Sequence, residues 1–162
     1  MTDGVRERQE GDGFDPVLGE APGAAVGRDR YRPVFAELQV FPGPTSTEVD
    51  VTLSLGGRVV TSRAQGPGDE RGVAHTAAEA ALSALGELLD GRATLELAWF
   101  KVLEPDGHFG HVVLHTAVAC RSERGRDLYV GSALSRGDLA VAAVRSALDA
   151  MNRPFARLLA EG

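Results

Sequence analysis

Polar and apolar residues alternate without a break across residues 48–55. This period of two predicts a half-buried strand of an antiparallel sheet, with one face in the core and the other in water. Gly56-Gly57 follows as a two-residue turn of the kind that requires positive φ, so the chain from Arg58 is predicted to return as the second strand of a hairpin. The apolar side of the first strand is Val49, Val51, Leu53 and Leu55.

The period changes to that of a helix after the next strand. Apolar residues recur at spacings of three and four from about residue 70 to Leu89. Asp69 is a predicted N-cap, and Gly91 is predicted to end the helix in the left-handed conformation. The predicted buried face is Ala74, Ala78, Ala81, Leu82, Leu85, Leu88 and Leu89.

The second half of the chain repeats this order. A strand over residues 34–41 opens the first unit, and strands over residues 94–103, 110–120 and 126–133 open the second. A helix then follows Gly137-Asp138, and Asn152-Arg153-Pro154 is predicted to end or kink it. Phe155, Leu158 and Leu159 suggest a short final turn of helix beyond that point. Its predicted buried residues are Leu139, Ala142, Ala143, Ala147, Leu148 and Met151.

The pattern therefore predicts an α+β fold, in which duplicated βββα units form a two-layer sandwich with antiparallel sheets. The units span about residues 33–91 and 94–152, within a domain of residues 33–162. Because a unit of this size cannot bury its apolar face alone, the two copies are expected to pack together. Residues 1–32 show no period and are expected to form a disordered tail.

Composition narrows the class of protein. The 162 residues carry a formal net charge of −6 without a basic stripe, so no nucleic-acid partner is expected. Cys120 is the one cysteine, which gives secretion no support. No apolar run suits a signal peptide or a membrane span, so we expect a cytoplasmic protein without a membrane partner.

The order of elements resembles the C-terminal allosteric, or dimerisation, domain of 2-isopropylmalate synthase, which citramalate synthase shares. The resemblance covers about residues 34–152. It implies a homodimer that binds a feedback ligand, a branched-chain amino acid or a related small carboxylate. The matching segments are Gln65-Gly66-Pro67-Gly68-Asp69, Val130-Gly131-Ser132-Ala133, Asp138 and Asn152-Arg153.

The synthases place this domain after a catalytic barrel with metal-binding histidines, of which nothing is present in this sequence. The resemblance therefore implies a regulatory or ligand-sensing chain that is not an enzyme and needs no cofactor.

The helix starts are the predicted ligand site. The first turn of a helix leaves backbone N–H groups unpaired and carries about half a positive charge, which suits a carboxylate. The ammonium of an amino acid would then meet Asp69 or Asp138. The alternative is that the aspartates are helix caps and the glycines are turn residues. The candidate binding residues are Gly66, Gly68, Asp69, Gly131, Ser132 and Asp138.

Other chemistries gain little support. His111 and His115 share a strand face but lie about 13 Å apart along it, too far to hold one zinc ion, so no metal is expected and both are assigned to a polar outer face. Cys120 is interpreted as a buried apolar residue that points to the other face. No nucleophile elbow, Walker A motif or dinucleotide fingerprint occurs.

A second hypothesis uses the same fold without a ligand. The chain would then be a scaffold that dimerises or docks on a partner enzyme, and Trp99, Phe100 and Phe155 would supply aromatic anchors. Core packing is the expected role for at least one of these three. A double-stranded RNA-binding domain is set aside, because its helix start would have to be basic and here it carries Asp69 and Glu70.

Overall fold

The structure is a computed structural model that describes residues 31–104 and 111–160. Residues 1–30, most of the segment that we expected to be disordered, lie outside the described residues. The elements in chain order are β1 (Val34–Pro42), β2 (Thr47–Leu55), β3 (Arg58–Gly66), α1 (Glu70–Leu88), β4 (Ala93–Leu103), β5 (Val112–Ser122), β6 (Gly125–Ser135) and α2 (Leu139–Ala160).

The predicted fold class is confirmed. Strands β1, β2 and β3 form the first antiparallel sheet in that order, and β4, β5 and β6 form the second. One helix follows each sheet, which gives the repeated βββα unit of a two-layer α+β arrangement. In both units the first strand contains an irregularity at an alanine, Ala36 in β1 and Ala98 in β4.

Helix α1 and strand β2 follow the predicted patterns. The side chain of Asp69 accepts a hydrogen bond from the Gly72 N–H at 3.0 Å and caps α1. Gly91 has a φ of 80°, as the predicted left-handed residue beyond the helix. Every residue of the predicted α1 face is buried. In β2, Val49, Val51 and Leu53 are buried, and Leu55 is half-buried.

Helix α2 includes the predicted final turn. It does not stop at Asn152-Arg153-Pro154 but continues through Pro154 to Ala160, so the turn over Phe155, Leu158 and Leu159 is part of the same helix. Phe155 and Leu158 are buried in the core. The side chain of Arg92 donates to the Leu159 carbonyl at 2.8 Å, so the far end of α2 is held by the segment between α1 and β4.

A main core runs through both units. The two helices pack against each other, α1 also contacts β4, and α2 also contacts β1. Each helix therefore covers its own sheet and reaches the first strand of the other unit. The expectation that the copies pack together agrees with this arrangement.

The outer faces of the two sheets differ. In the first sheet, Arg63 pairs with Asp50 at 2.6 Å and with Glu48 at 2.9 Å, and the hydroxyl groups of Thr52 and Thr61 are 2.8 Å apart. The hydrogen bond from Arg63 lowers the pKa of the Asp50 carboxyl below its ordinary value. The middle of this face is therefore polar, as a solvated sheet face should be, and its exposed apolar residues, Val34, Phe41 and Val59, lie towards its ends.

The second sheet does not follow that rule. His115 lies on its outer face in a polar row with Lys101 and Ser132, but the neighbouring rows are largely apolar and leave Trp99, Leu128 and Val130 exposed. In the described part of the chain, no helix is long and apolar enough to cross a membrane.

Candidate functional site

The two helix starts lie at the same end of the domain. Glu70, the first residue of α1, and Gly137, just before α2, line the same two shallow clefts of about 190 and 260 Å³. Asp69 caps α1, and the Asp138 side chain accepts from the Val141 N–H at 2.9 Å. These carboxylates already accept hydrogen bonds from first-turn N–H groups, and together with Glu70 they make the location unfavourable for a carboxylate ligand.

Gly66 and Gly68 lie close to buried hydroxyl groups. A Cβ at Gly66 would stand 2.0 Å from Thr76 Oγ1, and one at Gly68 would stand 3.1 Å from Thr47 Oγ1. Gly66 therefore allows α1 to approach the end of β3. Neither residue lines the clefts described here.

Gly131 and Ser132 are separate from the helix starts and lie within β6. A Cβ at Gly131 would stand 2.2 Å from the Ser146 carbonyl oxygen and 2.2 Å from the Ala150 nitrogen, so α2 rests directly on the glycine backbone. The next N–H, that of Ser132, donates to Asp149 Oδ2 at 3.0 Å. The structure thus divides the predicted site residues into a group near the helix starts and a pair beneath the middle of α2.

The largest of the described clefts, of about 710 Å³, lies beside this second pair and is called the α2 cleft below. Its volume is within the range of small-molecule sites. It is enclosed by the start of β1, the middle of β6 and one side of α2, so both units contribute to it. Its lining residues are Arg32, Pro33, Val34, Phe35, Leu85, Ser132, Ala133, Arg145, Leu148, Asp149, Met151 and Asn152.

The polar groups of the α2 cleft come chiefly from one stripe of α2. Arg145 and Asp149 are four residues apart, which places them on neighbouring turns of one helix face, and Asn152 follows three residues later. The Ser132 N–H fixes one carboxylate oxygen of Asp149. Of the residues predicted to bind ligand, Ser132 alone lines this cleft. Arg145, Asp149 and Asn152 were not predicted as site residues, although their helical spacing within an alanine-rich helix was a usable signal.

A second cleft of about 580 Å³ continues along α2 and shares Asp149 with the first. Arg157 donates to the Tyr129 hydroxyl at 2.7 Å, and that hydroxyl donates to Asp127 Oδ2 at 3.2 Å. Burial and the hydrogen bond with Asp127 raise the pKa of Tyr129 above its ordinary value. This ordered chain of polar groups holds the β6 edge to the end of α2.

The three aromatic residues considered as interface anchors have different environments. Phe155 is fully buried in the core. Phe100 is half-buried, and its ring meets the His75 ring edge-on at 5.8 Å. Trp99 is exposed on the outer face of the second sheet. Of the three, therefore, Trp99 is the one placed for an intermolecular contact.

Cys120 has the buried position expected of it. Burial and, to a smaller extent, the nearby Asp127 carboxylate raise the pKa of its thiol. We expect the native protein to react with a thiol reagent such as DTNB at least about tenfold more slowly than the unfolded chain, because both the thiolate fraction and access are reduced. Absorbance kinetics with and without denaturant test this; equal rates would contradict the buried position.

Within residues 31–104 and 111–160, no group of three or more His, Cys, Asp or Glu side chains could hold a metal ion. His108, a third histidine close to His111 and His115 in the sequence, lies outside the described residues. Neither a protein-family model nor a curated protein matches this chain.

Proposed function

We propose that this chain is a regulatory domain, without catalytic activity, that senses an amino acid or a small carboxylate bound in the α2 cleft. The observation that carries the proposal is that Arg145 and Asp149 stand on neighbouring turns of one face of α2 and line the same cleft, beside apolar side chains. The order of the βββα units, which resembles the allosteric domain of 2-isopropylmalate synthase, supports a branched-chain amino acid as the ligand.

Arg145 supplies the group that would bind a carboxylate. Its side chain is exposed, and among the described residues neither Arg145 nor Arg32, which lines the same cleft, forms an ion pair. A guanidinium binds a carboxylate through two parallel N–H···O bonds, and such charge-assisted bonds are roughly twice as strong as neutral ones. The ligand carboxylate would therefore lie against Arg145, with Arg32 adding positive charge.

Asp149 would distinguish an amino acid from other carboxylates. Its Oδ2 accepts from the Ser132 N–H at 3.0 Å, which restrains the side chain at the cleft wall. An ionised carboxylate has about four acceptor positions, so it can bind a ligand ammonium in addition to the backbone N–H. The Cβ atoms of residues four apart on a helix are about 5–6 Å apart, a separation that a zwitterion can bridge.

The apolar part of the cleft would hold the ligand side chain. Phe35 comes from β1, Leu85 from α1, and Leu148 and Met151 from α2. Burying a side chain of the size of leucine or valine stabilises a complex by about 1.5–3 kcal/mol. Because these residues come from both units, a bound ligand would stabilise the packing of one unit on the other.

Isothermal titration calorimetry tests the proposal with leucine, isoleucine and valine and with their 2-keto acid counterparts. We expect Arg145→Gln to weaken binding of both ligand classes by about 10- to 100-fold, the effect of losing a charged hydrogen bond worth about 1.5–3 kcal/mol. Asp149→Asn should weaken the amino acids and spare the keto acids, since asparagine can still accept from Ser132 but lacks the negative charge.

Arg153→Gln is the matched control, because Arg153 is on the same helix but lines the second cleft. It should leave affinity unchanged. If Arg153→Gln abolished binding and Arg145→Gln did not, the ligand would lie in the second cleft. The sensing function would be refuted if none of these ligands gave heat on titration and none raised the thermal stability of the protein. A ligand that binds should be detectable in this way, because at 100 times its Kd it raises the free energy of unfolding by about 2.7 kcal/mol.

A further inference from the structure

The α2 cleft lies where the described part of the chain begins. Arg32, Pro33 and Val34 line it, and Val34, the first residue of β1, is 56% exposed. Residues 1–30 therefore join the domain at the edge of this cleft. The chain itself holds any segment within them close to the cleft, at an effective concentration in roughly the millimolar range for a short connection.

Residues 10–20 differ from the rest of that stretch in composition and are called the acidic segment below. No lysine or arginine occurs from residue 9 to residue 27, whereas Arg8 and Arg28 stand on either side. The carboxylates of the acidic segment are Glu10, Asp12, Asp15 and Glu20, and its large apolar residues are Phe14, Val17 and Leu18. This combination suits a surface that is both cationic and apolar.

The lining of the α2 cleft is such a surface. It contains two cations, Arg32 and Arg145, and one carboxylate, Asp149, so it carries a net charge of +1 in a chain of net charge −6. Phe35 and Leu148, both half-buried, add apolar surface that solvent can reach. The two clefts at the helix starts are instead lined by more acidic than basic residues, so they would repel the acidic segment.

We propose that the acidic segment occupies the α2 cleft of its own chain when no ligand is bound. Its carboxylates pair with Arg145 and Arg32, neither of which forms an ion pair among the described residues. Its large apolar side chains contact Phe35 and Leu148. The charge and the apolar surface of the cleft are then both matched by one short stretch of the same chain.

The chain between the acidic segment and the domain is long enough for this contact. Residues 21–31 span at most about 40 Å when fully extended. The stripe of α2 from Arg145 to Asn152 is only about 11 Å long, at about 1.5 Å per residue. The acidic segment therefore reaches every part of the cleft without any movement of the domain.

The acidic segment thereby competes with the ligand, a consequence that rests on the proposed sensing function. A tethered segment whose affinity is close to its effective concentration fills a site for about 70–90% of the time. A ligand then binds about 3- to 10-fold more weakly than it would bind to an open cleft. Ligand binding in turn releases the segment from the domain.

Calorimetry on the full chain with leucine, isoleucine and valine measures this competition. Asp12→Asn combined with Asp15→Asn removes two charges from the acidic segment and should strengthen binding by about 3- to 10-fold. Asp3→Asn combined with Glu7→Gln is the matched control, because it removes two charges outside the segment. It should leave the affinity unchanged, and equal affinities of the two double variants would contradict the competition.

Fluorescence of the full chain tests the occupancy without any ligand. Trp99→Phe removes the one tryptophan, which is 43% exposed, and Phe14→Trp then places a single indole in the acidic segment. This indole should emit at shorter wavelength than it does in the urea-unfolded chain. Adding Arg145→Gln should shift its emission to longer wavelength, whereas Arg153→Gln, in the second cleft, should not. Circular dichroism should show every variant folded.

The proposal is overturned by an indole at position 14 that is as exposed as in the unfolded chain. It is also overturned by shielding that persists in Arg145→Gln, or that appears only as the protein concentration rises, since the segment would then lie elsewhere or on a second copy. A ligand that gives heat without exposing the indole has the same consequence. If the indole is shielded, Arg145→Gln exposes it and no ligand gives heat, the sensing function fails and the acidic segment still occupies the cleft.

Discussion

Gly131→Ala is expected to lower the free energy of unfolding by about 3 kcal/mol or more, the upper part of the range for overpacked cores. The reason is that both atoms within 2.2 Å of the new Cβ, the Ser146 oxygen and the Ala150 nitrogen, belong to the backbone of α2. A backbone cannot move aside by a change of rotamer, so α2 must lift from β6. That movement also stretches the hydrogen bond from the Ser132 N–H to Asp149.

Thermal unfolding followed by circular dichroism should show a fall in Tm of about 10 °C, because for a domain of this size each kcal/mol of lost stability lowers Tm by about 3 °C. Gly86→Ala is the matched control. Gly86 lies inside α1, where a new Cβ meets nothing within 4 Å, so alanine should stabilise the protein by about 0.5–1 kcal/mol. If the two variants had equal stability, α2 would not rest on Gly131 as described.

The order of the elements could be predicted because each depends on a local pattern. The alternation of β2, the spacing of alanines and leucines in α1 and the cap at Asp69 all involve residues within a few positions of one another. The same order recurs in the second half of the chain, and this repetition identified the fold class, since each βββα unit can bury its apolar face against the other.

The α2 cleft could not be predicted, because its walls meet only in three dimensions. Phe35 lies near the start of β1, and Asp149 lies more than 100 residues later, in the middle of α2. Gly131 was mistaken for a residue of a helix-start site for a related reason. A glycine inside a strand marks either a local bend or a close approach of another element, and the approach of α2 depends on tertiary packing.

The continuity of α2 through Pro154 could not be predicted, because local and tertiary effects oppose each other there. A proline inside a helix costs about 3 kcal/mol and leaves one carbonyl without its helical partner. Against this, Phe155 and Leu158 are buried, each worth about 1.5–3 kcal/mol. The sum of the two burials equals or exceeds the cost of Pro154, so the helix continues.

Phe155→Ala tests that balance directly and should destabilise the protein by about 3–5 kcal/mol, as for other fully buried phenylalanines. Phe155 is 0% exposed and is among the largest of the fully buried side chains in the described part of the chain. Its loss leaves a cavity beneath the last turns of α2, where Pro154 already weakens the helix. Urea unfolding followed by circular dichroism gives the free energy, and the far end of α2 should show the largest rise in amide hydrogen exchange.

Phe41→Ala supplies the comparison, because it removes the same atoms from an exposed position. Phe41 is 42% exposed, and its ring lies under the Arg63 guanidinium at 5.4 Å from centroid to carbon, a contact worth about 0.5–1 kcal/mol at an exposed site. The two substitutions should therefore differ by at least about 2 kcal/mol. If α2 instead ended near Asn152, the Phe155 side chain would not be buried, and Phe155→Ala and Phe41→Ala would be equally stable.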